Sequence, residues 1–268
     1  MKIFIITMED PVYTLPFIRE IMEKRLKDII GIAVVKGDRL TLPKKRSRLI
    51  YLFSLFFIMG MTHFMKFSFI TIQFRLRKKL APCFTFIDDP SILHFAKQKG
   101  IKTFSIDNPN REEFVRELQE MNPDVIINQS QRIIKRRLLN VPKIGIINRH
   151  NALLPKNRGR LAPFWALYKN EKETGISIHF VNEGIDCGDI IVQERFPIEK
   201  KDNFNSLVYK NYKAAPSIML KALDLLEKGQ YNIIKNDETL STYNSIPTLK
   251  QALRYRWAKV KRLWNLWN

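Results

Sequence analysis

The chain has 268 residues, 45% hydrophobic and 11% aromatic, which excludes both a disordered polyelectrolyte and a large multidomain assembly. Its formal charge of +20 sets up a field that gathers phosphates, nucleic acid or an acidic membrane face without choosing among them. Cys83 and Cys187 are the only cysteines and are not expected to pair, and Met1–Met8 is no signal peptide, so a cytoplasmic protein is expected.

Short β-rich runs alternate with helical stretches, the rhythm of a doubly wound, Rossmann-like, mostly parallel α/β sheet. Lys2–Thr7 predicts a strand, Leu15–Lys27 a helix and Ile30–Val35 a second strand. After an interruption, Ser91–Gln98 predicts a helix, Lys102–Ser105 a strand, Arg111–Met121 a helix and Val125–Asn128 a strand. A short helix over Ile133–Leu139 and a strand over Ile144–Asn148 follow. From Thr174 the runs lengthen: Gly175–Val181 and Asp189–Phe196 flank the polar segment Asn182–Gly188 and read as an antiparallel hairpin added to the sheet. Phe204–Glu227 is a long amphipathic helix ending at Gly229. Residues 1–229 are therefore read as one domain and 230–268 as a short basic C-terminal extension.

The interruption, 43–80, is a helical, apolar and basic insertion. Leu49–Met65 carries no charge, with Lys44, Lys45, Arg46 and Arg48 on one side and Lys66 on the other. A single membrane span is rejected because the run falls short of the roughly 20 residues a bilayer needs. The strands on both sides of it must also join one sheet. Two readings stay open: a helical hairpin buried on the domain, or one lying in the membrane interface with its basic flanks on headgroups.

The segment from Gly145 to Ile191, GIINRHNALLPKNRGRLAPFWALYKNEKETGISIHFVNEGIDCGDII, carries the chemistry. Its Asn-x-His, Leu-Leu-Pro turn, Arg-Gly, Pro, Trp-Ala helix, Thr-Gly and Asp-x-Gly occur in one order. In this it resembles the catalytic region of the formyltransferases that use 10-formyltetrahydrofolate, more weakly upstream through Pro123–Pro142 and downstream to about Gly229. The resemblance implies the formyltransferase fold and formyl transfer from 10-formyltetrahydrofolate to a primary amine.

Elementary chemistry agrees. An amine attacking a formyl carbonyl makes a tetrahedral centre with a negative oxygen, which must meet prepositioned donors. Asn148 and His150 lie two apart at a strand end and so face one pocket. Asn148 is expected to donate to the oxyanion and His150 to handle the proton. Asp186, between Gly184 and Gly188, is expected to support His150, the glycines letting the loop come close. His179, on an alternating strand, is read as a packed neighbour.

The resemblance also places Gln129, Arg132, Ile133, Ile134, Gly184 and Ile185 along the folate pocket, and Arg158 and Gly159 on the wall of the acceptor site. Arg158 either holds an acceptor phosphate or ties its loop. No Cys-x-x-Cys or His-Glu-x-x-His spacing is present, so no metal is expected. There is no Walker loop and no Gly-x-Gly-x-x-Gly after the first strand, so ATP and dinucleotides are not expected either.

The acceptor is read from what surrounds this core. Ile6–Tyr13 lacks the glycine-rich phosphate loop of the enzyme that formylates glycinamide ribonucleotide, and Gln230–Asn268 is too short for the C-terminal β-barrel of the initiator-tRNA enzyme. The expectation is therefore a small phosphate-bearing acceptor: an amino sugar on a nucleotide carrier, for surface glycans such as lipopolysaccharide. Methionyl-tRNA is the alternative, supported by the charge and by a tail over 254–268 rich in bases and tryptophans. That tail could equally pack as an amphipathic helix or join the insertion on a membrane surface, at the cytoplasmic face. An inactive folate- or anion-binding protein would be marked by loss of Asn148, His150 or Asp186, and all three are present.

Overall fold

A computed structural model describes residues 1–37, 47–84 and 86–264, without the side chains of 259–264. Lys44, Lys45 and Arg46, and within the tail over 254–268 the side chains from 259 on, lie outside the described residues.

The strands β1 (Ile3–Thr7), β2 (Ile29–Val35), β3 (Thr103–Ile106), β4 (Val125–Gln129) and β5 (Gly145–His150) pair in parallel in the order β3-β2-β1-β4-β5. Their near-continuous apolar runs, such as IFIIT in β1 and IIGIAVV in β2, suit strands covered on both faces. A two-residue strand β6 (Arg158–Gly159) follows. The sheet is completed by β7 (Glu173–Phe180), antiparallel to β5, and β8 (Ile190–Pro197), antiparallel to β7.

Helices cover both faces. On one, α1 (Thr14–Lys24) and the later α8 (Phe204–Glu227) bury Phe17, Ile18, Ile21, Met219 and Leu223 against Ile3, Ile5 and Ile32. On the other, α5 (Glu112–Met121) buries Phe114, Val115 and Leu118 against Phe4, Ile6 and Ile126. Each such side chain contributes about 1.5–3 kcal/mol on removal from water. The short α4 (Ile92–Gln98) leads into β3. The expected helix over Ile133–Leu139 shrinks to α6 (Arg136–Leu139), because Asn110 accepts from the Lys135 N–H at 2.7 Å and donates to the Ile133 carbonyl at 2.9 Å. Lys135 is thereby held extended, with φ −93° and ψ 161°.

The insertion is two helices, α2 (Arg48–Met59) and α3 (Met61–Leu80), broken at Gly60. As a unit it does not fit the reading of a hairpin buried on the domain. Ile58 and Met59 of α2 join a third apolar cluster with Phe164 and Trp165 of α7 (Ala162–Tyr168), Phe204 and Val208 of α8, and Ala252 and Tyr255 of α9 (Leu249–Trp264). No residue of α3 is buried.

The chain after Gly229 is threaded back through the molecule. Ile234 bridges to Ile190, and the short strand β9 (Tyr243–Asn244) pairs in parallel with β6 before α9 closes the third cluster. No helix among the described residues is long and apolar enough to cross a membrane.

Candidate active site

Asn148 and His150 lie two apart on β5 and face the same side of the sheet. Arg149 between them faces the other side, its guanidinium 4.8 Å from the Phe17 ring centre and 4.1 Å from that of Tyr212. On the neighbouring strand β7, His179 stands opposite Asn148 and Ser177 opposite His150. Asn148 Oδ1 accepts from Gln129 Nε2 at 2.9 Å, which turns the Nδ2 donor of the amide the other way.

His150 is nearly buried, and its Nε2 lies 2.8 Å from the Asn157 carbonyl. A carbonyl only accepts, so Nε2 carries the hydrogen and Nδ1 faces Asp186 Oδ2 at 3.4 Å. His179 repeats the arrangement: Nδ1 lies 2.7 Å from the Phe180 carbonyl and Nε2 is 3.6 Å from Asp186 Oδ1. Both imidazoles therefore present a ring nitrogen to one carboxylate.

The loop between β7 and β8 carries that carboxylate back over the sheet face, with Asp186 itself at φ 50°. The Gly159 N–H donates to Oδ2 at 2.8 Å. Burial would push the Asp186 carboxyl up, but the positive charge that His150 and His179 carry when protonated and the Gly159 N–H overcome it and hold the group well below the usual carboxylate range.

Residues outside the expected site lock this geometry. Asn236 Nδ2 donates to the carbonyls of Asp186 at 2.9 Å and Gly188 at 2.8 Å, and its Oδ1 accepts from Arg158 Nη2 at 2.8 Å. Asn157, whose carbonyl orients His150, donates its N–H to Thr242 Oγ1 and its Nδ2 to Glu171. Its Oδ1 accepts from Lys169 and Asn244. Residues 236–244 thus form a strap across both loops of the site. Sequence reasoning missed Asn157, Asn236, Thr242 and Asn244, since single polar residues in an irregular segment leave no periodic signal.

Several expected residues sit elsewhere than expected. Arg158 is buried on Asn236, so of its two readings the structure shows the loop tie. Gly159 offers its N–H to Asp186, and a Cβ there would meet the Asn244 carbonyl oxygen at 2.3 Å, with φ +97°. Gly184 and Gly188 do not supply unusual backbone angles; the positive φ is at Asp186. A Cβ on Gly188 would meet the Phe180 carbonyl oxygen at 2.0 Å, so close packing within the hairpin requires that glycine, whereas one on Gly184 would meet the side-chain sulfur of Cys187 at 2.2 Å. Ile134 is buried in the core beside Leu138 and Ile126, whereas Ile133 and Ile185 are exposed on the two loops that flank the site, as is Arg132. Cys83 and Cys187 are both free thiols. Among the described residues no cluster of His, Cys, Asp and Glu could hold a metal ion.

Residues 86–223, just over half of the chain, match the family model described as formyl transferase. A methionyl-tRNA formyltransferase from Fusobacterium nucleatum is 30% identical over 190 residues, covering 67% of this chain and 61% of its own length. The chain thus spans about three-fifths of that relative. Among solved structures, a glycinamide ribonucleotide transformylase from Symbiobacterium toebii superposes with a TM-score of 0.59 at 18% identity, covering 88% of this chain and 92% of its own. An N-formyltransferase from Helicobacter canadensis, in complex with folinic acid and dTDP-3-aminofucose, gives 0.57 at 19% identity, covering 91% and 71%. At these identities the structures establish the shared fold.

Proposed function

Since this chain belongs to the formyl transferase family, we propose that it moves a formyl group from 10-formyltetrahydrofolate to the primary amine of a nucleotide-linked amino sugar. The observation that carries the chemistry is the meeting of Asn148, His150 and Asp186 on one sheet face, with the carboxylate ionised and both its loops strapped down. The bound co-substrate supplies the formyl carbon, and the chain does the rest. Asn148, its Oδ1 fixed by Gln129, directs Nδ2 at the oxygen that becomes negative. His150 has its Nε2–H engaged by Asn157, so Nδ1 is the atom that takes the amine proton, by way of water. The charge created there is met by Asp186, and the same proton can pass to the folate nitrogen that leaves as its bond to the formyl carbon breaks.

The exposed aliphatic Ile133 and Ile185, on loops at either side of these groups, suit the faces of a flat pterin, with main-chain groups of 129–134 and 184–185 reading its edge. Arg132 is the exposed cation of that wall. In this reading residues 1–229 are the catalytic unit, cytoplasmic in location, and the strap is what holds its loops.

A small acceptor is supported by the way the chain closes its own site, since 234–255 is bonded back onto the domain at β6, β8 and α8. The Helicobacter canadensis neighbour, holding dTDP-3-aminofucose, supports it as well. Methionyl-tRNA is the second reading, favoured by the relative of that name and by the charge of +20. Incubation with 10-formyltetrahydrofolate and either dTDP- or UDP-linked amino sugars or methionyl-tRNA, followed by mass spectrometry, separates them. A formamide on the sugar is expected; one on the tRNA alone would end the first reading.

A further inference from the structure

The outer surface of α3 is the largest feature that the proposed chemistry leaves unused. Met61, Met65, Phe69, Ile72, Leu76 and Leu80 are each between 38% and 66% exposed. At about 100° per residue they fall within an arc of about 100°, one continuous apolar stripe along a helix about 30 Å long. Beside it His63, Lys66, Gln73 and Arg77 form a polar arc, and the remaining side, with Phe64, Phe67, Thr71 and Phe74, is half-buried toward the domain. Leu49, Ile50 and Phe53 of α2, which packs on α3, and Trp257 of α9, which packs on α2, are exposed as well. An apolar area of this extent on a globular protein marks an interaction site.

Charge identifies the occupant. Residues 43–84 contain nine Lys or Arg and no Asp or Glu, and Arg48, Lys66, Arg77 and Lys79 are exposed. A second copy would bring two such surfaces of the same sign together, on molecules of net charge +20. A nucleic acid would meet the cations but leave the stripe in water. We propose that α3 lies in the interface of an anionic bilayer, its stripe among the acyl-chain ends and its lysines and arginines reaching the headgroups. The helix contains no proline and Gly60 ends α2 before it, so it can lie flat as one rod while α2 anchors it to the third cluster.

Flotation of the full-length protein with vesicles of phosphatidylglycerol and phosphatidylethanolamine tests this. The wild type is expected to float with these, far less with pure phosphatidylcholine, and to release as salt is raised. Phe69→Glu/Ile72→Glu is expected to reduce vesicle binding at least about tenfold, from the apolar area withdrawn, and Lys66→Glu/Arg77→Glu to reduce it on anionic vesicles by a similar factor. All four positions are exposed, so thermal melts of both variants should match the wild type; if the first pair melts early, Phe69→Ser/Ile72→Ser replaces it. A wild type that stays at the bottom of the gradient with anionic vesicles overturns the inference, as does unchanged flotation of a folded Phe69→Glu/Ile72→Glu protein. Light scattering that shows a dimer lost in the same variant would also overturn it, assigning the stripe to a second copy.

Discussion

Asp186 is a carboxylate met from three directions, by the rings of His150 and His179 and by the Gly159 N–H. Its folded pKa lies well below the value of about 3.9 in an unfolded chain, so the ionised form contributes stability that is complete above that value. Between the two pKa values the unfolded chain binds the extra proton, and stability is lost as pH falls through that window. Asp186→Asn should therefore be less stable than the wild type at neutral pH and should show a shallower loss of stability below about pH 4, read by denaturant titration across pH. In the proposed reaction the same substitution should lower kcat about 10²- to 10⁴-fold. A variant with wild-type turnover would remove Asp186 from the proton path. Asn148→Ala should cost about 10²- to 10³-fold in kcat with little change in the melting temperature, since only Gln129 loses a partner.

At the scale of elements, the site is a hairpin loop and a βα loop clamped by a strap. Asn236→Ala removes one donor group that serves the Asp186 and Gly188 carbonyls and the acceptor that holds Arg158, leaving a buried guanidinium short of a partner. A loss of about 1–3 kcal/mol in stability is expected. Turnover should fall while KM for the folate changes little, because the change loosens the Asp186 loop and touches no exposed wall of the site. Gly159→Ala should do the same more severely, because its Cβ runs into the Asn244 carbonyl oxygen at a positive φ. The sheet and the shared face of Asn148 and His150 were legible in the residues because apolar periodicity and the two-residue spacing on a strand are local properties, whereas Asp186, on a separate loop, was reached only through the family resemblance of its Asp-x-Gly element. The strap was not: 230–244 has no apolar period, and its side-chain amides hold partners 48 to 87 positions away in sequence. The role of Gly188 was misplaced for a related reason, as it is set by the close approach of the Phe180 carbonyl across the hairpin. The helix over Ile133–Leu139 failed at its start because Asn110 lies more than 20 positions upstream.

Across the whole molecule, the third apolar cluster ties the insertion, the C-terminal helix and α7 into one body, and α7 begins three residues after the Asp186 anchor at Gly159 with only Arg160 and Leu161 between. The strap enters α9 within five residues of β9, so the position of α9 bears on the catalytic loops. Ala252 is fully buried where α9 meets this cluster, and the Tyr255 hydroxyl one turn further on accepts the Phe204 N–H at 3.0 Å. Ala252→Asp places an unpaired carboxylate in that cluster, and several kcal/mol of destabilisation are expected. Because the strap connects the cluster to the site, formyl transfer should fall together with stability, and both should recover in Ala252→Ser far more than in Ala252→Asp. Tyr255→Phe is the milder probe: it leaves one buried N–H without its acceptor, for about 1–3 kcal/mol, and should lower the melting temperature with a smaller effect on turnover. Full activity in a folded Ala252→Asp protein with α9 released, as judged by proteolysis after 248, would show that β6–β9 pairing alone fixes the strap and that α9 serves only to cover α2.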